Sequence, residues 1–412
     1  MPKSRDIVVG LDLGTTKVCA VVGERTSEGI NVIGLGTSPS HGIRAGVVVN
    51  IDKTVKAIRR ALEEAQFMAG CDIDGVHVGV AGTHVQGLNS HGVIAIKNRG
   101  EVTETDIYRV MDAAQAVAMP ADKVILHVVP QEFIVDDHKG IMDPLGMSGV
   151  RLEARVHLII VSGSAIKNIE KCCAQAGVHV ESYSLEVLAS SRSVLYPDEL
   201  KLGVVVIDIG GGTTDIAVFH NGSVKYTGVL PLGGNHITAD ISVGLKTSLD
   251  EAERIKKQHG CAIAEAIPEN ESIKVRSLDG RRTFSVDPLD LGRIIEARVD
   301  EILQLAWRKV VQSGYMDHLH AGVVLTGGVA MLPYIRELAE NIFEMPVRIG
   351  IPVGFGGLKD VIENPMYATA AGLLLPDIDE MSERYVAASE SLFPLGWVKK
   401  FFVFVKRWLG EL

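Results

Sequence analysis

An internal repeat constrains the fold of this chain more than any other feature. Residues 7–22 read IVVGLDLGTTKVCAVV, and residues 204–219 read VVVIDIGGGTTDIAVF. Each copy holds an apolar run, an Asp-X-Gly, a Gly/Thr turn and a second apolar run, which predicts a β-hairpin. Asp12 and Asp208 occupy equivalent places, 208 − 12 = 196 residues apart. The repeat therefore predicts two lobes built from the same hairpin, with a shared cleft between them.

Length and composition agree with a two-lobed α/β protein. At 412 residues the chain exceeds what one hydrophobic core usually supports. Glycine is abundant, at 43 residues, while aromatic residues make up only 5% of the chain. This combination suggests many tight turns between strands and helices.

Charge and cysteine content exclude some classes of protein. The net charge of −10 argues against nucleic acid as the main partner, because such binding needs concentrated basic surface. Five cysteines without a CxxC motif fit a reducing compartment better than a disulfide framework or a metal site. The start, MPKSRDIVVGLDLG, has no apolar core of signal-peptide length, and no run reaches the roughly 18 apolar residues that span a bilayer. We therefore expect a cytosolic protein.

The pattern of strands and helices predicts the domain organisation. Asp52 is expected to cap a helix that ends at Gly70. Segment 84–160 departs from the simple alternation and is interpreted as an inserted subdomain. The predicted boundaries are 1–83 with 161–200 for the first-lobe core, 84–160 for the insertion, 201–226 with 301–376 for the second-lobe core, 227–300 for a small subdomain of the second lobe, 377–394 for a flexible acidic linker and 395–412 for a terminal amphipathic helix.

The turns of the two hairpins predict a phosphate site. Backbone N–H groups in a Gly-rich turn supply several donors without side-chain bulk. One such turn also occurs in ordinary loops, but two copies that each follow an Asp favour phosphate. Asp12 and Asp208 are candidates to hold Mg²⁺ through its waters. Lys17 is either a counter-charge for phosphate or simply solvated. The phosphate candidates are Gly14, Thr15 and Thr16 in the first turn and Gly210, Gly211, Gly212, Thr213 and Thr214 in the second.

A third Gly-rich turn follows a short apolar strand, Val323–Leu325, in the second lobe. It reads Thr326-Gly327-Gly328, and a helix is expected from about Met331. Paired glycines at such a place let a flat base lie against the backbone. Gly327 and Gly328 are therefore candidates to bind the base of a nucleotide.

The order DLGTT, DIGGGTTD, TGG resembles the phosphate-one, phosphate-two and adenosine motifs of the superfamily of actin, heat-shock chaperones and sugar kinases. A finer resemblance is to the FtsA family of bacterial cell-division actin homologues. It is carried by IDIGGGTTDIAVF, LPLGGNHITADI, EAERIKKQHG and VVLTGGVAMLP, and it covers essentially the whole chain. The resemblance implies an actin-like two-lobed ATPase fold of four subdomains, with ATP and Mg²⁺ as cofactors and with 84–160 in place of actin's usual small subdomain.

The resemblance also implies roles for further residues. Gly234 would bind the nucleotide, and Glu253, Lys256 and Lys257 on helix 249–259 would line the ribose and adenine. The alternative for these three is an exposed charged helix face. Glu186 would position the attacking water, although the family pattern has Pro where Val187 stands. We therefore expect ATP binding with at most weak hydrolysis.

The end of the chain, WVKKFFVFVKRWLGEL at 397–412, predicts a membrane-binding helix. At about 100° per residue, aromatic and aliphatic side chains share one arc of about 160°, basic side chains lie opposite, and only Val403 strays. Four basic residues contribute roughly 4 kcal/mol at an anionic surface, so the apolar face must supply the rest. The alternative, a core helix docked on the body, is disfavoured by the acidic linker before it. The candidate membrane residues are Trp397, Lys399, Lys400, Phe401, Phe404, Lys406, Arg407 and Trp408.

Membership of the FtsA family would imply a membrane tether for the cell-division ring. Such a protein binds ATP, self-associates into filaments, and meets FtsZ and other division proteins at the inner face of the membrane at the septum. Arg298, and less strongly Arg293, would contact the acidic tail of FtsZ from subdomain 227–300. The alternative for Arg298 is a solvated pair with Glu301. The alternative functions are a pilus assembly protein of the PilM type and a metabolic kinase.

Overall fold

The computed structural model describes residues 6–97, 100–268 and 272–376. The predicted linker 377–394 and terminal helix 395–412 lie outside the described residues. The described chain forms two compact units, one of residues up to Leu88, Met119–His127 and His157–Pro376, the other of Asn89–Ala118 and Val128–Val156. Within these residues, no helix combines the length and the apolar character needed to cross a membrane.

The strands are, in chain order, β1 (Ile7–Leu13), β2 (Lys17–Thr26), β3 (Gly29–Pro39), β4 (Ile43–Arg44), β5 (Val47–Val48), β6 (Gly75–Val80), β7 (Gln86–Ala95), β8 (Lys123–Val135), β9 (His138–Ile141), β10 (Arg151–Ser162), β11 (His179–Leu185), β12 (Val204–Ile209), β13 (Thr214–His220), β14 (Ser223–Leu230), β15 (Ile273–Arg276), β16 (Thr283–Val286), β17 (Val323–Thr326), β18 (Val347–Ile349) and β19 (Phe355–Gly357).

The α-helices are α1 (Ile51–Ala69), α2 (Glu104–Gln115), α3 (Gly163–Ala176), α4 (Glu186–Val194), α5 (Pro197–Leu202), α6 (Gly234–Leu245), α7 (Leu249–His259), α8 (Pro288–Gln312), α9 (Ile335–Phe343), α10 (Lys359–Ile362) and α11 (Ala368–Gly372). Short 3₁₀ helices cover Ala264–Ala266, Met316–His318, Gly328–Met331 and Pro365–Tyr367.

The first-lobe sheet has the strand order β11-β6-β1-β2-β3-β19. Its centre is the antiparallel β1–β2 hairpin, in which Asp12 pairs with Cys19. Helix α1 packs on the face that holds Gly36, where a Cβ atom would lie 1.9 Å from the carbonyl O of Ala61. Cys19 belongs to the opposite face, which α11 covers through Ala370 and its neighbours. Asp12 therefore shares the face that α11 covers, because paired residues of neighbouring strands point to the same side.

The second-lobe sheet has the order β14-β13-β12-β17-β18. Its β12–β13 hairpin repeats β1–β2, with Asp208 paired to Asp215 as Asp12 is paired to Cys19. β12 also pairs in parallel with β17, and this places the end of β17 at Thr326 beside Asp208. The core of this lobe joins the sheet to α6, α7, α8 and α9 through a continuous cluster of buried aliphatic residues.

The second unit has its own hydrophobic core. It holds parts of the strands of a four-stranded sheet with the order β7-β10-β8-β9. Helix α2 begins at a capping box, in which Asp106 N donates to Thr103 Oγ1 at 3.3 Å and Thr103 N donates to Asp106 Oδ2 at 3.2 Å. Apolar residues of α2, such as Val110, pack with Phe133 and Leu152 from the sheet.

Two predicted helix starts were wrong. Asn50 caps α1, since its side chain accepts from Lys53 N at 2.9 Å, and Asp52 lies inside the first turn. Helix α9 begins at Ile335 and not near Met331, because Pro333 lacks an N–H and Tyr334 has a left-handed backbone with φ 63°. The predicted stop of α1 at Gly70 is confirmed, where φ is also 63°.

Candidate nucleotide-binding cleft

The two Gly/Thr turns lie against each other. A Cβ atom on Gly211 would stand 1.9 Å from Thr16 Oγ1, and one on Gly212 would stand 2.7 Å from Thr15 Oγ1. Glycine at these positions therefore allows an approach that any side chain would block. The repeat brings both predicted phosphate turns to one place, with Gly14 in the first and Gly210 in the second.

Helix α6 fixes the second turn. Gly234 N donates to the Gly210 carbonyl at 2.9 Å, and Asn235 N donates to the Gly211 carbonyl at 2.8 Å. Within the described residues, the N–H groups of Gly211 and Gly212 have no hydrogen-bond partner. Adjacent N–H groups of this kind are suited to an anion.

The threonine hydroxyls differ in what they already bind. Thr214 Oγ1 donates to the Leu232 carbonyl at 2.9 Å, so it serves the protein itself. Thr213 bonds Asp215 and lowers the pKa of that carboxyl, against the larger effect of burial. Thr15 Oγ1 accepts from Gly46 N at 3.3 Å and keeps its own proton to donate.

Four carboxyl groups converge beside the turns: Asp12, Glu186, Asp208 and Asp215. Burial raises the pKa of Asp12 to about 6, with Lys17 opposing the rise and Asp208 adding to it. Burial also raises the pKa of Asp208 to about 6, while bonds from Ser190 and Thr369 and the charge of Lys17 oppose it. The pKa of Glu186 rises well above its usual value through burial and then through the charges of Asp12, Asp215 and Asp208. Such a concentration of negative charge favours a cation as its partner.

Asp215 is the member of this group that was not predicted from the sequence. Burial and the charge of Asp208 raise its pKa to about 7, and its Oδ1 atom is buried with no hydrogen-bond partner among the described residues. The signal was present in the second repeat, GGGTTD, where Asp215 stands in the place of Cys19 in the first. An orphaned buried carboxylate oxygen fits a site built for a hydrated cation.

Glu186 is the first residue of α4, at the junction with β11. Leu185 N donates to His127 Nε2 at 3.1 Å, and this holds the junction in place. Gly79 of β6 leaves room for the Glu186 side chain, because a Cβ atom there would lie 2.9 Å from Glu186 Cγ. The charges of Asp12, Asp215 and Asp208 act on Glu186, so the carboxyl group predicted to position water lies near these three residues.

Residues predicted to line the ribose and adenine form a network beside the second turn. Lys256 Nζ donates to the Gly234 carbonyl at 3.1 Å and to Thr238 Oγ1 at 2.8 Å, and it pairs with Glu253 at 2.6 Å. Lys257 pairs with Glu253 at 3.2 Å and is mostly exposed. Glu253 and Lys256 thus hold α7 against the start of α6, and Lys257 lies at the margin.

The third Gly turn closes the set. Gly327 has φ 87°, and a Cβ atom on it would lie 2.4 Å from Asp208 Oδ1. Gly328 faces open space, with nothing within 4 Å of an added Cβ atom. The structure therefore brings this turn into contact with the second phosphate hairpin, and leaves room beside Gly328 for a flat group.

The described structure also contains surface cavities. Two surface cavities, of about 630 and 290 Å³, are lined by residues of α7, β15 and α8 and by residues of β3 and α1 respectively. Among the described residues, no group of three or more His, Cys, Asp or Glu side chains is placed to hold a metal ion directly. The four carboxyl groups beside the Gly/Thr turns fit Mg²⁺ held through waters and phosphate oxygens. Their negative charge is concentrated in one place, and Asp215 Oδ1 has no hydrogen-bond partner among the described residues.

Family models match most of the chain. A model described as cell division protein FtsA matches residues 205–372, and one described as the SHS2 domain inserted in FtsA matches residues 82–160. The cell division protein FtsA of Pseudomonas aeruginosa is 48% identical over 382 residues, covering 92% of this chain and 91% of the relative. FtsA of Escherichia coli is 41% identical over 378 residues, covering 90% of both chains, and FtsA of Bacillus subtilis is 40% identical, covering 90% and 83%.

Solved structures agree on the fold. The PilM–PilN type IV pilus biogenesis complex matches with a TM-score of 0.63 at 15% identity, covering 90% of this chain and 98% of that one. MreB5 of Spiroplasma citri bound to ADP matches with a TM-score of 0.54 at 14% identity, covering 94% and 99%. Likeness at this level of identity concerns the fold alone. The predicted actin-like fold is confirmed, and so is the insertion in its first lobe.

Proposed function

The chain belongs to the FtsA family of cell division proteins, and from this membership and the geometry of the cleft we propose that it binds MgATP and tethers the FtsZ ring to the cytoplasmic membrane. The observation that carries the nucleotide site is the contact of the two Gly/Thr turns beside four carboxyl groups, of which Asp12, Asp208 and Asp215 are buried. Phosphates accept from the free N–H groups of Gly211 and Gly212.

Mg²⁺ would be held by Asp12 and Asp208 through its waters, with Asp215 adding charge. The cation supplies neutralisation of the phosphate oxygens when it is bound. Glu186 orients water at its carboxyl group, whose pKa is raised by burial and then by the charges of Asp12, Asp215 and Asp208. We expect a protein that binds ATP, hydrolyses it weakly and assembles into filaments in its bound state.

The membrane end of the tether is the segment 397–412. Its basic and apolar faces are argued from the sequence alone, because these residues lie outside the described structure. The proposed location is the cytoplasmic face of the bacterial membrane at the division septum, with FtsZ, further copies of the chain and other division proteins as partners. A pilus role of the PilM type has weaker support, at 15% identity against 48% for FtsA. In a metabolic kinase, the cationic and apolar segment 397–412 would have no evident role.

Reconstitution tests the tether directly. Fluorescent FtsZ, anionic liposomes and this protein with MgATP are mixed and sedimented. FtsZ should appear in the pellet only when both liposomes and this protein are present, and FtsZ without its C-terminal tail should stay in the supernatant. Recruitment of tailless FtsZ to the same extent would contradict the proposed mode of binding.

The proposed FtsZ contact at Arg298 has an alternative within the protein, because the guanidinium group already pairs with carboxylates of the second lobe. Arg298 on α8 forms a two-point ion pair with Asp240 on α6, through Nε at 2.5 Å and Nη2 at 3.1 Å, and it also pairs with Glu301. Its side chain is 27% exposed. Arg293 is 67% exposed and lies 3.7 Å from Asp290. The ion pairs of Arg298 are therefore not confined to the surface of one helix, because the pair with Asp240 joins α8 to α6.

Variants at Arg298 and at Asp240 distinguish an FtsZ contact at Arg298 from an ion pair that only supports the fold. If Arg298 binds the FtsZ tail, Arg298→Glu should cost about 2–5 kcal/mol of tail binding, measured by fluorescence anisotropy. Asp240→Asn removes the same ion pair but keeps the cation, so it should bind the tail within about twofold of the native protein. The double variant Arg298→Asp with Asp240→Arg restores the pair between α6 and α8. Equal loss in Arg298→Glu and Asp240→Asn would show that the pair only supports the fold.

A further inference from the structure

One short segment, Pro365–Thr369, contacts all three Gly motifs of the cleft. The Pro365 carbonyl accepts from Gly327 N at 3.3 Å and from Thr326 Oγ1 at 3.3 Å. These two donors belong to the third Gly turn. The segment leads directly into α11, so it joins the second-lobe turn to the helix that covers the first-lobe sheet.

The same segment holds the first and second hairpins. Lys17 Nζ donates to the Met366 carbonyl at 2.7 Å and lies 4.0 Å from the centre of the Tyr367 ring. Thr369 Oγ1 donates to Asp208 Oδ2 at 3.3 Å. The cation predicted as a phosphate counter-charge is therefore held by a backbone carbonyl and an aromatic face that are about 350 residues away along the chain.

The direction of Lys17 follows from strand geometry. Lys17 and Cys19 are two residues apart on β2, so their side chains point to the same face, which is also the face of Asp12. The positive charge of Lys17 lowers the pKa of both Asp12 and Asp208, against the rise from burial. The ammonium group is thus close to both carboxyl groups, although neither lies within ion-pair distance of it.

The chemistry of the ammonium group leaves donors free. A lysine side chain has three N–H donors and no acceptor. The Met366 carbonyl takes one donor, and the Tyr367 ring attracts the charge through its face. Burial raises the pKa of Tyr367, so the ring stays neutral across the physiological range. What remains is a cation fixed on one side and open to an anion on the other.

We propose that Tyr367 is a positioning residue for nucleotide binding, which holds the Lys17 ammonium at the floor of the cleft so that it faces the phosphates. The inference rests on the proposed nucleotide function and deepens it. Tyr367 acts through Lys17 and does not itself touch the nucleotide. The face of the Tyr367 ring holds the Lys17 ammonium group, and the Tyr367 hydroxyl does not contribute.

Isothermal titration calorimetry of the full chain with MgATP and with adenosine tests this role. Tyr367→Leu should weaken MgATP binding about 3- to 20-fold, the range expected of a partly buried cation–π contact, and leave adenosine affinity unchanged. Tyr367→Phe keeps the ring face and should bind MgATP within about twofold of the native protein. Lys17→Met should lose more affinity than Tyr367→Leu, and the double variant should bind as weakly as Lys17→Met alone, because Tyr367 acts through Lys17.

A second substitution covers the case in which Tyr367→Leu does not fold. Pentafluorophenylalanine at position 367 keeps the shape of the ring and removes the negative charge of its face, so it should weaken MgATP binding as Leu does. Native protein that binds no MgATP would refute the proposed function itself. Native protein that binds MgATP, with no loss in the Leu and fluorinated variants, would overturn the role of Tyr367. Tighter binding in these variants would also overturn it, since Tyr367 would then withhold Lys17 from the phosphates.

Discussion

Removal of residues 394–412 should leave a folded protein that binds MgATP but no longer sediments with anionic liposomes. The removed segment carries both the cationic face and the aromatic face that the sequence assigns to the membrane. Basic residues alone contribute roughly 4 kcal/mol, which corresponds to millimolar binding, so the apolar face is required as well. The described core ends at Pro376, whose carbonyl accepts from Arg192 Nη1 at 3.2 Å, so truncation after residue 393 leaves this contact in place.

Two point variants make the prediction specific to the helix face. Trp408→Glu places a charge at the centre of the apolar arc and should nearly abolish sedimentation with liposomes. Val403→Glu introduces the same charge in the same segment but outside that arc, so most of the binding should remain. Calorimetric MgATP binding and the melting temperature are the controls for folding. A truncated protein that still sediments, or that melts many degrees lower, would show that the segment belongs to the core.

The repeat predicted that the two hairpin turns, with Asp12 and Asp208, lie together, because each hairpin is encoded by residues that are neighbours in the sequence. Each hairpin is encoded within one short stretch, and the register of β12–β13 repeats that of β1–β2. Asp12 and Asp208 could be placed from this pattern alone, since a residue at the same point of two like hairpins meets the same surroundings. Helix α7 has the predicted bounds, 249–259, because the signals for a helix are also local.

Long-range pairings could not be predicted in this way. Nothing near Lys17 in sequence indicates that its ammonium group lies on Tyr367, and nothing near Arg298 indicates a pair with Asp240. Asp215 could have been identified from the sequence, because it directly follows the Gly/Thr turn of the second repeat, but its importance comes from burial close to Asp208 and Glu186. The start of α9 was missed because the backbone at Tyr334 is left-handed, a conformation that Tyr adopts rarely.

Asp208→Asn should change ligand binding and stability in opposite directions. The carboxylate is proposed to hold Mg²⁺ through water, so the loss of its charge should weaken MgATP binding at least about tenfold, or about 1.4 kcal/mol. In the ligand-free protein the same charge is unfavourable, because burial raises the pKa of Asp208 and its charge raises the pKa of Asp12 and Asp215. The variant should therefore melt at a higher temperature than the native protein at pH 8 without nucleotide.

The raised pKa of Asp208 also determines how the melting temperature should change with pH. Asp208 has a pKa of about 6 when folded and an ordinary value of 3.8, so the folded state binds more protons between about pH 4 and 6. Stability contributed by this group therefore rises as the pH falls through that window, and Asp215, at about 7, extends the rise upward. Asp208→Asn should flatten the curve of melting temperature against pH between 8 and 5. Asp198→Asn, at an exposed carboxylate on α5, should change neither this curve nor MgATP affinity. A variant that binds MgATP as the native protein does, or that melts lower at pH 8, would contradict the assignment of Asp208 to a cation site at the centre of the cleft.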